Sequence, residues 1–357
     1  MYKNSELELN RLLNRLLELD ASDLHLIAGK PPIYRVHTRL LEHEDHTVLT
    51  PEHVESLCQA LVPEARRERL ERQRQVDFSY SFKDANRLRV NVYYQKNSLA
   101  VSIRLISNHI KSIEELNLPD VLKTLTEHKQ GLVLIVGPTG HGKSTALASM
   151  INLINTTRAE HILTIEDPVE YVFYADKSII SQREVLSDTV SFASALTAAL
   201  REDPNVVMVG EMRDIDSIAT TMTIAETGHL VFATLHTNDA AQSIDRIVDV
   251  FPPHQQPQIK SQLANVLIGI VSMRLLQKVG GGLVPACEIM MADAAVRNVI
   301  RESRTFELYN IIHSSAGKGM VSLDRYLAEM VKKGLVTYES AARFAHDIEL
   351  FNSLVSR

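Results

Sequence analysis

The stretch GPTGHGKST, Gly137 to Thr145, decides how the rest of this chain is read. It fits G-x-x-x-x-G-K-[ST], with Gly137, Gly142, Lys143 and Ser144 at the required positions. An apolar run, Leu132 to Val136, precedes it, and a helix-compatible run, Ala146 to Ile154, follows. Glycines in such a loop let backbone N–H groups turn inward as a nest, and the following helix adds the positive end of its dipole. The candidate phosphate cradle is therefore Gly137, Pro138, Thr139, Gly140, His141, Gly142, Lys143, Ser144 and Thr145. Lys143 is expected to reach the β- and γ-phosphates, and the Ser144 hydroxyl to ligate Mg²⁺.

Working outward, apolar strands alternate with helices. Leu132–Val136, Ile162–Ile165, Val206–Val209 and Leu230–Leu235 are continuously apolar, as strands covered on both faces must be. Phe192–Arg201 and Ile215–Thr227 read as helices between them. The expected fold class is α/β, a parallel sheet of the P-loop NTPase kind. Ligands of such sheets bind beyond the carboxyl ends of the strands. Those ends carry Glu166-Asp167-Pro168, Gly210-Glu211 and His236-Thr237-Asn238. Phosphoryl transfer needs a metal, an oriented water and positive charge on the equatorial oxygens. Glu211 has the Walker B position and is assigned to Mg²⁺ and to water activation; Glu166 is the second candidate carboxylate. His229 and His236 bracket one strand, roughly 23 Å apart if it is straight. The end rule selects His236 as the γ-phosphate sensor and leaves His229 a structural or subunit contact. Candidate arginines are Arg87, Arg89 and Arg104 upstream, and Arg201, Arg213 and Arg246 in the core.

Before the core, Ser5 and Glu8 read as a capping box opening a helix striped by Leu9, Leu12, Leu13, Leu16 and Leu17. Pro51 to Arg74 reads as a helical stretch broken at Pro63, its end Arg66–Arg74 a solvated charged face. Strands follow at Val76–Phe82, Arg87–Tyr94 and Ala100–Leu105. This defines an α+β domain over 1–107, a linker over 108–130, a nucleotide-binding core over 131–290 and a helical region over 291–357. Gln258–Met273 is expected to be a helix. Leu275–Val279 and Leu283–Ile289 read as short strands joined by Gly280-Gly281-Gly282.

Composition sets bounds. The net charge of −6 gives no basic footprint for nucleic acid, which argues against a nucleic-acid translocase. The 2 cysteines, Cys58 and Cys287, form no C-x-x-C, so neither a zinc clip nor a disulfide framework is indicated, and a reducing cytosol is the expected setting. The segment MYKNSELELN is too polar for a secretory signal, and Leu263–Met273 is too short to span a bilayer. Any membrane link is expected to run through a partner.

Taken together, the motifs resemble the PilT-type retraction ATPases of bacterial type IV pili, within the secretion ATPase superfamily. The resemblance covers nearly the whole length. Ala21 to Leu26 with Gly29, Pro31 and Pro32 is similar to the family's amino-terminal signature, and Arg87 to Asn91 to its strand motif. Thr164 to Glu170 resembles the Asp box, Arg201 to Asp214 the Walker B segment, Thr227 to Asn238 the His box, and Ala295 to Glu302 the retraction signature. The resemblance implies a PAS-like amino-terminal domain, a RecA-like core and a homohexamer. It implies Mg²⁺-dependent ATP hydrolysis acting on an inner-membrane platform protein, from the cytoplasmic face of that membrane. Independently of it, Arg89 and Arg104 are arginine-finger candidates, since arginines on a separate domain would let domain movement gate hydrolysis. Assembly ATPases usually carry a cysteine-rich zinc motif, which Cys58 and Cys287 cannot make. An accessory subunit of the PilU kind is the nearest alternative, and a paralogous accessory ATPase is among the partners the resemblance implies.

The chain departs from the family pattern at His141, where a small residue is usual, and at His37-Thr38, where a glycine-containing turn is common. His141 beside the phosphates predicts a pH-dependent nucleotide affinity. In a helix over Ala295–Glu302, Val296, Val299 and Ile300 share a buried face, while Arg297 and Arg301 are like-charged i,i+4 neighbours. An acidic partner would relieve that pair, so Arg297 and Arg301 are the candidate partner contacts.

Overall fold

The computed structural model describes residues 2–36, 39–42, 47–83, 86–106, 110–315, 317 and 319–356. The His37-Thr38 turn lies outside the described residues. The chain divides into two compact units, one of residues 1–109 with 168–172, the other of residues 110–167 with 173–357. A short piece of the Asp box thus belongs with the amino-terminal unit.

In the first unit an antiparallel sheet runs in the order β3 (Arg39–Glu42), β2 (Ile33–Val36), β1 (Asp23–Ile27), β6 (Ser98–Ile106), β5 (Asn86–Gln95), β4 (Gln75–Phe82). Alternation in β5 buries Leu88, Val90 and Val92 on one face. Helices α1 (Tyr2–Glu18) and α2 (Pro51–Leu61) contribute Leu9, Leu13, Leu16, Val54 and Leu57 to the same core. The helix α3 (Glu64–Gln73) follows the Pro63 break. Two expectations change here. Ser5 is not a cap, because α1 begins at Tyr2; instead Ser5 bonds Ser56 (2.6 Å) and Glu8 pairs with His53 (2.7 Å), polar stitches between α1 and α2. The charged run is not wholly solvated: Arg66 is buried, and its NH1 donates to Asp77 O at 2.8 Å.

In the second unit the sheet order is β13 (Leu283–Met291), β12 (Leu267–Gln277), β7 (Gly131–Val136), β11 (Leu230–Leu235), β10 (Val206–Val209), β8 (His161–Glu166), β9 (Ile179–Glu184). All neighbours are parallel except β12–β13, so the sheet is mixed. It is covered by α5 (Lys143–Thr157), α6 (Phe192–Ala199), α7 (Ile215–Glu226), α8 (Ala240–Asp249) and α9 (Gln256–Val266). Short helix α4 (Val121–Glu127) precedes β7, and α10 (Ala294–Arg301), α11 (Leu308–Ser314), α12 (Leu323–Lys332), α13 (Tyr338–Ala342) and α14 (Ile348–Ser356) close the chain.

The expected helix Gln258–Met273 is only half helical. It ends at Val266, and the remainder is β12, a central strand between β7 and β13. A strand buried on both faces is as continuously apolar as a buried helix, so periodicity cannot separate them. Gly269 fits the strand: a Cβ there would sit 2.8 Å from Met290 O of β13.

Candidate active site at the strand tips

The loop 137–142 leaves β7 and enters α5, whose first residue is Lys143. Gly137 has φ +146, and a Cβ on it would lie 2.6 Å from Met273 O, so only glycine lets the loop lie against β12. Gly142 caps α5 at φ +85. The Lys143 ammonium is buried and donates to Gly137 O (2.7 Å) and Pro138 O (2.9 Å). In-register pairing places Val136 beside Leu235, Ala233 beside Val209, and Val209 beside Ile165. The tips of β7, β11, β10 and β8 are therefore side by side, and they carry the loop, His236, Glu211 and Glu166 in that order.

A line of hydrogen bonds runs across these tips. His236 Nδ1 is 3.2 Å from Thr139 Oγ1 and 3.4 Å from Lys143 Nζ. The Lys143 ammonium can only donate, which makes Nδ1 the acceptor and leaves the ring proton on Nε2, facing Glu211 Oε1 at 3.3 Å. The other oxygen, Oε2, pairs with Arg213 NH2 at 2.7 Å. Burial opposes ionisation of Glu211, but Arg213 and His236 outweigh it and hold the carboxyl below its usual range. Glu166 is more deeply buried; its Oε1 accepts from Thr164 Oγ1 (2.7 Å) and Gln182 Nε2 (3.2 Å). Arg213 thus joins the site, and Thr139 of the expected cradle touches His236 as well. Arg213 stood among several arginines in the sequence, and its closeness to Glu211 was the only signal. Gln182 had none, because it sits in the polar run Ser181 to Glu184, which reads as surface.

His229, at the far end of β11, donates from Nδ1 to Ile224 O at 2.9 Å and caps α7. Arg89 and Arg104 lie in the first unit as direct cross-strand neighbours; Arg104 Nε donates to Asp23 Oδ1 at 2.8 Å. Arg297 is not waiting for an acid. Its guanidinium donates to Ala264 O, Asn265 O (2.7 Å) and Leu267 O (2.9 Å), capping the end of α9, while Arg301 donates to Asn265 Oδ1 at 2.8 Å. The like-charge pair is relieved within the chain by carbonyl oxygens.

His141 Nδ1 accepts from Leu275 N–H (2.9 Å), and its ring meets Phe344 edge-on. Burial, Arg274 and Lys143 push its proton uptake below the ordinary histidine range. The neutral ring is the one that accepts, so protonation forfeits the bond. We expect ATP affinity to be flat from pH 7 to 8 and to change below about 6.5, the unperturbed histidine value. His141→Asn keeps an acceptor without a titrating ring. If isothermal titration finds the same change below pH 6.5 in that variant, His141 is not its cause.

The donor set suits Mg²⁺ with a triphosphate. Ser144 and Glu211 offer hard oxygens beside a buried ammonium, and Mg²⁺ is usually held by one or two protein oxygens plus phosphates. Among the described residues no cluster of three or more His, Cys, Asp or Glu forms a dedicated metal cage.

Residues 4–331 match the family described as Type II/IV secretion system protein. The chain is 41% identical to the type IV pilus retraction ATPase PilT of Pseudomonas aeruginosa over 352 residues, covering 97% of this chain and 100% of that one. It is 36% identical to the type IV pilus ATPase PilU of the same organism, covering 98% and 92%. A crystal structure of the pilus retraction motor PilT with bound ADP superposes with a TM-score of 0.89 at 45% identity, covering 96% of this chain and 98% of that one. The loop, the three strand tips and these full-length matches agree: the chain belongs to the type II/IV secretion system protein family, in its PilT-type branch of pilus retraction ATPases.

Proposed function

We propose that this chain is an ATP-hydrolysing motor, assembled as a homohexamer, that powers type IV pilus retraction through the inner-membrane platform protein. The observation that carries the reading is the line Lys143–His236–Glu211–Arg213 across neighbouring strand tips. Residues 137–145 hold the phosphates, with Lys143 leaving its loop carbonyls for the β- and γ-oxygens. Ser144 and Glu211 hold Mg²⁺, which when bound neutralises charge on the phosphate oxygens. Glu211, kept ionised by Arg213, orients the attacking water, and Glu166 is the second carboxylate for that task. His236 touches both Lys143 and Glu211, so it reports phosphate occupancy to the acid. Arg89 and Arg104 are candidates for the positive charge the equatorial oxygens need. Among the described residues no helix is long and apolar enough to cross a membrane.

The motor reading is tested by ATP turnover together with retraction when this chain is the sole retraction subunit. Turnover without retraction would favour the accessory PilU-like role instead.

Arg297 and Arg301 separate folding from docking. Arg297→Ala removes three charge-assisted bonds; one alone is worth about 1.5–3 kcal/mol, so a loss of at least about 2 kcal/mol is expected. Arg301→Ala, at an exposed single bond, should stay within roughly 0.5 kcal/mol. Urea titration checks both values. Arg301→Ala is then the clean docking probe: retraction should fall while ATP turnover persists, and parallel loss of both argues against a partner contact there.

A further inference from the structure

The β12 segment Met273–Leu275 touches both lips of the site. Met273 O lies against Gly137, and Leu275 N–H bonds His141 on the loop lip. Between them, Arg274 turns to the other lip. Its NH2 donates to Asn238 O (2.9 Å) and to Asn238 Oδ1 (3.3 Å), while NH1 donates to Met273 O (2.9 Å). Asn238 stands two residues beyond His236, in the turn between β11 and α8. Glu288 of β13 pairs in register with Ser272, so it shares a face with Arg274. Its Oε1 lies 3.4 Å from Ala240 N, the first N–H of α8. Both charged groups are nearly covered, at 9% and 5% exposure. Buried charges are a weak source of stability; what these two fix, each through its own hydrogen bond, is the backbone on either side of Asp239.

We propose that Arg274 and Glu288 are positioning residues for His236: they pin the backbone on either side of Asp239, at the α8 end of the β11–α8 turn, and thereby set the imidazole on the line from Lys143 to Glu211. Arg274 holds the turn by its carbonyl, and Glu288 holds the helix that follows it. The same strand seats Gly137, so the loop and the histidine are referred to one rigid element. The inference rests on the hydrolytic reading above.

Glu288 has a second consequence. Burial pushes its carboxyl up to about 7; Asp239, the N-cap of α8, and Asp324 on α12 act in the same direction, while Ala240 N–H and Arg274 oppose it. Tyr309 of α11 faces the cluster through its bond to Asp324. Above that value Glu288 is a carboxylate that attracts Arg274 and accepts from Ala240. Below it the charge is gone and the hold on the turn loosens.

The test is steady-state ATP hydrolysis by the full chain, with a double-mutant cycle on Arg274 and His236. Arg274→Ala should lower kcat about 10–100-fold with KM for ATP changed less than about threefold, since the phosphate cradle is untouched. In a His236→Ala background the same substitution should add less than about threefold, because both act through one imidazole. Arg274→Lys, which keeps charge without the fork, should fall between parent and alanine and guards against a misfolded alanine variant. The parent's kcat should rise between pH 6 and 8, and Glu288→Gln, which keeps an acceptor for Ala240 N–H, should remove that rise. Effects that multiply in the cycle, a His236→Ala chain as fast as the parent, or an unchanged pH profile in Glu288→Gln each overturn the proposal. A parent that releases no phosphate sinks the hydrolytic reading itself, a separate failure.

Discussion

Glu211→Gln is expected to lower kcat for ATP hydrolysis by about a thousandfold, roughly 4 kcal/mol of barrier. ATP binding, by contrast, should change less than about threefold, because binding belongs to the loop and Lys143. The substitution is nearly isosteric, so the strand tip should keep its shape. What changes is charge and acceptor count. Glu211 accepts from His236 with one oxygen and pairs with Arg213 through the other. A glutamine has one acceptor and one donor group. Whichever way its amide turns, an N–H faces either Arg213 or the Nε2–H of His236. The carboxylate that Arg213 holds ionised disappears, and with it the group assigned to orient water. Single-turnover hydrolysis beside equilibrium ATP binding checks both halves. A variant that turns over within tenfold of the parent would move the catalytic role to Glu166.

Lys143→Ala should act earlier, on binding. Its ammonium is the buried positive charge at the loop, held by two carbonyls and within 3.4 Å of His236. Hydrogen bonds between charged groups in such sites contribute about 1.5–3 kcal/mol each. Loss of contacts to two phosphates therefore predicts ATP binding weaker by about 10²-fold or more, with turnover falling to background. Gly137 O and Pro138 O lose a donor as well, so a modest drop in melting temperature is expected. Fluorescent-nucleotide titration separates the two effects. Unchanged affinity in a folded variant would remove the loop from its assigned role.

Much of the site was legible because its chemistry sits where sequence rules are strong. A glycine-rich loop between an apolar run and a helix has few other readings, and acids directly after buried parallel strands have a fixed location in space. That brought Glu166, Glu211 and His236 to adjacent tips before any coordinates. The failures share a cause too. Burial erases periodicity, so β12 read as the continuation of a helix. Arg274 directly follows the apolar run Leu263–Met273, and a charge at that place already asks for a partner. Glu288, a lone acid within the apolar strand Leu283–Met291, carried the same message. Arg297 illustrates the limit of local reasoning. Its i,i+4 neighbour suggested repulsion awaiting an acid, but the partner carbonyls come from Ala264 to Leu267, distant in sequence.

The central claim is chemical: a triphosphate bound at Gly137–Thr145 is cleaved by carboxylates on the neighbouring tips. Release of inorganic phosphate by the purified full chain, with Mg²⁺ and then with excess chelator, measures it directly. Sustained release with the metal and none without it is the predicted result. No release with Mg²⁺ present, or equal release in chelator, would contradict the claim.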